Sequence, residues 1–120
     1  MPVRSLTSRV LKWPKPDAVV AAFRRWADQT AQKRSDVLRI GYFGSYARGN
    51  WGVGSDLDVV LIVSQTNQPF VERAREWDLL DLPVPVDVLV YTAGEWEKNM
   101  RSRAMFRDII WIYHKESAEK

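Results

Sequence analysis

No cysteine occurs among the 120 residues, and histidine occurs once, at His114. The first absence removes a disulfide scaffold, a thiolate-ligated zinc or iron–sulfur centre and a thiol nucleophile. The second removes a histidine-rich metal site and argues against a Ser-His-Asp triad. The excess of one charge over the other is also small: Lys plus Arg number 18 against 15 for Asp plus Glu, a net charge of +3. So small a surplus argues against a dedicated nucleic-acid binder. No stretch approaches the roughly 18 consecutive apolar residues of a membrane span. The segment up to Pro16 carries Arg4, Arg9, Lys12 and Lys15 without an acid and has no apolar core of signal-peptide length, so a cytoplasmic protein is expected. What the chain does have is apolar material, 46% of residues against 28% charged. That suffices for one core, and a single domain over residues 1–120 is expected.

Residues 1–16 read as an irregular lead-in closed by Pro14 and Pro16, with Asp17 as a candidate helix cap. From Ala18 to about Lys33, Val19, Phe23, Trp26 and Thr30 recur at helical spacing. Val37 to Phe43 is a β-rich run ended by Gly44, and the glycines of residues 49–55 require a loop. Leu57 to Val63 is the most apolar stretch and suits a central strand. Phe70, Ala74 and Trp77 predict a second amphipathic helix reaching about Leu80. Pro83 and Pro85 lead into a strand from Val86 to Tyr91. Glu95 to Met105 reads as helical, with the positions of any breaks not fixed, and Ile109 to Tyr113 as a last short strand. Alternating helices and strands imply an α/β or α+β fold, a sheet with helices packed on it.

Three elements carry chemistry. Gly44-Ser45-Tyr46-Ala47-Arg48-Gly49 lies where a strand ends and a short helix can begin, a setting suited to phosphate. Gly44 permits close backbone approach and Ser45 adds a hydroxyl donor. An ordinary capped turn would explain the hexapeptide equally well. The second element is Asp56 and Asp58 at the start of the most apolar strand. Residues i and i+2 of a strand share a face, so two carboxylates meet beside a core. A solvated strand end accounts for Asp56 but poorly for Asp58, because Val59 to Val63 follow without a polar break. A hard divalent cation such as Mg²⁺ would relieve both the repulsion and the desolvation. The third element is Asp87, a lone acid in an apolar strand. Either it faces water on an edge strand, or it joins the Asp58 cluster from a neighbouring one.

Gly44-Ser45, Arg48-Gly49, Asp56-x-Asp58 and a later strand Asp together resemble the nucleotidyltransferase superfamily that includes DNA polymerase β. The likeness is nearest to the minimal nucleotidyltransferases of bacteria and archaea, with a motif core of about residues 37–90. The flanking SRVLKWP and VYTAGEW segments extend it over most of the chain. Trp51-Gly52-Val53-Gly54 departs from the more polar loop common in that family. The resemblance implies a DNA polymerase β-like fold with a small mixed sheet of about four strands. It implies Asp56, Asp58 and Asp87 as catalytic and metal-ligating residues, with two Mg²⁺ ions, and Gly44, Ser45 and Arg48 as binding residues for the phosphates of ATP. It further implies a HEPN-domain partner, an antitoxin role within a toxin–antitoxin pair, and transfer of AMP to a partner tyrosine.

Two other functions fit the same residues. The domain could neutralise its partner by covering it, with little or no catalysis, because the chain has about 30 residues beyond the last motif strand and no second core for an acceptor. It could also modify a small hydroxylated molecule, with a second copy supplying the missing wall. Direct nucleic-acid reading ranks below these. Arg101, Arg103 and Arg107 are spaced like a helix stripe, but a solvated face is the commoner meaning of such spacing. Among the six tryptophans, Trp26 and Trp77 are expected in the core, whereas Trp51, in its glycine-rich loop, is a candidate for stacking on a base or a partner.

Overall fold

The computed structural model describes residues 14–49 and 56–115. Most of the lead-in, the glycine-rich loop with Trp51, and Trp13 therefore lie outside the described residues.

Helix α1 spans Pro16–Lys33. Its N-cap is Lys15 rather than Asp17; Pro16 opens the helix with its fixed φ, and Asp17 contributes its charge in the first turn instead. Val19, Phe23, Trp26 and Ala27 are buried along one face, and Thr30 is half-buried. Strands β1 (Val37–Phe43), β2 (Leu57–Val63), β3 (Val86–Thr92) and β4 (Ile110–His114) form one mixed sheet in the order β3-β2-β1-β4. The pairs β1–β2 and β1–β4 are antiparallel, whereas β2–β3 is parallel. A bulge near Leu38 lets Val37 and Ile40 share a face.

Six of the seven residues of β2 are buried, and Asp58 is the exception. The strand supplies both faces. Leu57, Val59, Leu61 and Val63 meet α1, Ile40 and Tyr42 on the first face, where Trp77, Leu82 and Val84 complete the core. Val60 and Ile62 meet Phe43, Tyr91, Trp96 and Phe106 on the second. Each fully buried Leu or Val contributes about 1.5–3 kcal/mol, so β2 anchors the fold. On the second face Gly41 admits Trp111: a Cβ there would lie 2.7 Å from the indole.

The segment expected to be one helix from Phe70 to Leu80 is shorter. Helix α2 (Ser45–Arg48) is a single turn, α3 covers only Phe70–Arg73, and a 3-10 turn follows over Ala74–Glu76. Trp77 is already extended, at φ −108° and ψ 126°. Phe70 stacks on Tyr91 at 5.3 Å, on the second face, whereas Trp77 packs beside Trp26 on the first. The two anchors serve opposite sides of the sheet, so no single helix face can hold both. The Glu95 to Met105 region is likewise divided. It contains α4 (Ala93–Glu95), a wider π turn (Trp96–Met100) and a 3-10 turn (Ala104–Phe106). Arg101, Arg103 and Arg107 are exposed and do not form the stripe of one helix.

Arg73 ties these parts together. It is 8% exposed and donates to Gln68 O at 3.0 Å, to Val90 O at 3.0 Å and to both carboxylate oxygens of Glu95 at 2.7 and 3.0 Å. Glu95 also accepts from the Thr92 amide, while Thr92 Oγ1 accepts from the Glu95 amide, a reciprocal cap on α4. The Arg73 guanidinium holds the Glu95 carboxyl down at about 2.

Candidate functional site

β1 ends at Phe43, and Gly44 turns the chain into α2 with φ +76° and ψ −148°. This conformation is open to glycine and strained for other residues. It also brings the backbone against Asp58: a Cβ on Gly44 would collide with the Asp58 carboxylate oxygen Oδ2. The phosphate-type turn and the acid strand are thus packed face to face, a contact the sequence spacing alone does not reveal. The α2 turn closes through Arg48 N–H to Gly44 O at 3.0 Å and Gly49 N–H to Ser45 O at 2.9 Å. Four residues make a small dipole, so the helix-end attraction expected for phosphate is weak, and close backbone approach at Gly44 is the stronger asset.

Asp58 pairs in register with Asp87 across the parallel β2–β3 ladder. Partners in neighbouring strands lie about 4.8 Å apart and point to the same face. Both acids therefore project on the side of Phe43 and Tyr91, at the sheet end where β1 finishes. Asp87 is exposed on the edge strand, where it borders water and at the same time lies beside Asp58, close enough for its charge to act on that carboxyl. Asp56 precedes β2 and is also exposed. Burial pushes the Asp58 carboxyl above the usual carboxylate range, the neighbouring charges of Asp87 and Asp56 push it further, and Arg48 opposes them. Among the described residues no three acidic side chains converge as a ready-made metal cluster. A half-buried carboxylate with two acidic neighbours fits a hard divalent cation, which would offset both the desolvation and the repulsion that raise its pKa.

Gly44, Ser45 and Arg48 lie on one side of Asp58 and Asp87 on the other, because β2 separates β1 from β3. Ser45 is half-buried and Arg48 exposed. Trp26 and Trp77 are core residues, as their spacing predicted. Arg73 and the free side of β3 carried no signal in the sequence reading; a buried arginine has no period that marks it. Among the described residues no helix is long and apolar enough to cross a membrane.

A comparison with curated proteins finds no match. A crystal structure from Sulfolobus solfataricus, of a protein assigned as a nucleotidyltransferase, shares the fold at a TM-score of 0.61 and 17% identity, covering 85% of this chain and 90% of that one. The sequence profile of the nucleotidyltransferase domain matches residues 24–112. That span runs from α1 to β4 and encloses the Gly44 turn and all three acids; the chain belongs to the nucleotidyltransferase domain family.

Proposed function

We propose that the protein transfers AMP from ATP to a hydroxyl group of a partner polypeptide, with Mg²⁺ held by Asp56, Asp58 and Asp87. The observation that carries this reading is the triple juxtaposition at Asp58, which faces side-chain-free Gly44 on one side and Asp87 on the other. Mg²⁺, when bound there, would neutralise the triphosphate and the developing charge on the leaving oxygen.

The chain's own residues divide the remaining work. Gly44 and Ser45 cradle the β and γ phosphates by backbone approach and the Ser45 hydroxyl. Arg48, whose positive field already reaches Asp58, balances phosphate charge. Asp87, on the exposed side, takes the proton of the attacking hydroxyl. That oxygen forms a bond to the α-phosphorus, the bond to the bridging oxygen breaks, and pyrophosphate leaves along the Gly44–Ser45 turn. The partner implied by the family resemblance is a HEPN-domain toxin, modified on tyrosine and thereby neutralised.

The test uses ATP labelled at the α-phosphate, purified chain, Mg²⁺ and candidate HEPN-domain protein, with γ-labelled ATP and the Asp56→Ala/Asp58→Ala variant as controls. The expected result is partner labelled only from the α position and only by the wild type. An unchanged intact mass of the partner would overturn the reading.

A further inference from the structure

β3 forms the edge of the sheet on the side of the acids. Its register decides which backbone groups turn inward. Leu57 pairs with Val86, and the Leu57 amide donates to Pro85 O at 2.9 Å. In a parallel ladder the residues flanking the paired one carry the bonds, so Asp87, Leu89 and Tyr91 turn their amide and carbonyl groups toward β2. Val86, Val88 and Val90 turn theirs outward. Val90 O is covered by the Arg73 guanidinium. Among the described residues, no hydrogen bond reaches the outward groups of Val86 or Val88. The far half of the edge is closed by Arg73, and among the described residues nothing pairs with the half beside Asp87.

We infer that this open half-edge takes up an extended segment of the partner polypeptide as an added strand, and that this strand presents the acceptor hydroxyl to Asp87. The inference rests on the nucleotidyl-transfer reading above. Residues directly opposite each other in a sheet project on the same face. A residue opposite Asp87 therefore sets its side chain beside that carboxylate. Its two neighbours point to the other face. There a groove of about 690 Å³ runs between Trp77–Leu80 and Pro83–Val86, floored by Leu82 and Val84, with Leu80 92% exposed at its lip. The pattern recognised is a hydroxyl residue flanked by apolar ones.

One feature favours a polypeptide, and a second fixes the side from which it approaches. Outward amide and carbonyl groups at alternate residues match another backbone, and a small hydroxylated molecule has no such row to offer. In-line displacement also requires the attacking oxygen opposite the departing pyrophosphate. Gly44 lies on the β1 side of Asp58, so the attacker arrives across β3. Its oxygen bonds to the α-phosphorus of ATP, pyrophosphate leaves, and the hydroxyl proton passes to Asp87.

Amide hydrogen exchange followed by NMR on the full chain tests this. The probe is a peptide of about nine residues that alternates valine and threonine, with a central tyrosine and a lysine at each end. Exchange at Val86 and Val88 is expected to slow about fivefold or more on adding the peptide, with no change at Asp87. Val88→Pro removes one outward donor at an edge position that tolerates proline, and should abolish the effect. Leu80→Glu, a surface change that leaves the edge itself intact, should weaken peptide binding about fivefold. Unchanged exchange at Val86 and Val88 in the presence of peptide would overturn the inference. So would slow exchange in the free protein that grows with protein concentration, which would place a second copy on the edge. Slowed exchange without transfer of α-label to the peptide would support the docking and overturn the reaction instead.

Discussion

Gly44 and Asp58 occupy adjoining space, and neither can change without disturbing the other. Gly44→Ala must accept a positive φ and push the Asp58 carboxylate aside. We expect a loss of about 1–2 kcal/mol in urea unfolding, together with a fall in α-label transfer of about a hundredfold or more. Asp58→Asn should behave in the opposite way toward stability. Its carboxyl titrates above the usual range, so the folded state resists the ionised form, and stability is lost as pH rises through the carboxylate range. In EDTA at neutral pH the Asn variant should therefore unfold at higher urea than wild type, with the difference vanishing at acid pH. Transfer should be lost throughout. Equal midpoints at both pH values would show that Asp58 is not under strain. The two core indoles differ in the same concrete way. Trp26 Nε1 donates to Asp78 O at 2.7 Å, whereas Trp77 Nε1 is buried without a partner among the described residues. Trp26→Phe should cost about 0.5–1.5 kcal/mol more than Trp77→Phe in urea unfolding, because only the first sacrifices a bond.

Among the elements, α3 depends on Arg73 more than on its own apolar side chains, since Phe70 and Val71 are exposed. Arg73→Ala removes a bidentate pair and two backbone bonds at once. Breaking a buried pair costs about 3–5 kcal/mol, and because Glu95 is 42% exposed the lower part of that range or less is expected, read by urea unfolding. The pair also sets an acid limit. Glu95 titrates at about 2 in the fold, below its ordinary value, so its contribution is present above the ordinary carboxylate range and fades as pH falls toward 2. The stability gap between wild type and Glu95→Gln should therefore be widest near neutrality and narrow on acidification. The strands of these elements were legible because β-branched runs bounded by glycine or proline have few alternatives: β1 and β2 begin and end where the residue pattern does. The Phe70–Trp77 spacing was not legible, since spacing cannot tell two anchors on one face from two anchors on opposite faces of a sheet. The pairing of Asp58 with Asp87 could be posed from sequence but not decided. It depends on parallel register, which periodicity does not encode.

On the scale of the whole molecule, two apolar layers sandwich one sheet and leave the acids at the uncovered end of the second face. A nucleotide bound there, as proposed above, would add to the stability of the fold. Mg²⁺ with ATP at about a hundred times the dissociation constant should raise unfolding free energy by about 2.7 kcal/mol, readable as a thermal shift. The Asp56→Ala/Asp58→Ala variant should show no shift.

Gly41 bears on how this sheet can vary over time. Its missing side chain is the space in which Trp111 lies, and Trp111 in turn meets Trp96 edge-on at 5.6 Å. A lineage could not gain alanine at 41 while keeping the indole, nor lose the indole without opening a void over the glycine. The two positions should change together or not at all. A double-mutant cycle of Gly41→Ala with Trp111→Leu should accordingly show the pair costing less than the sum of its parts.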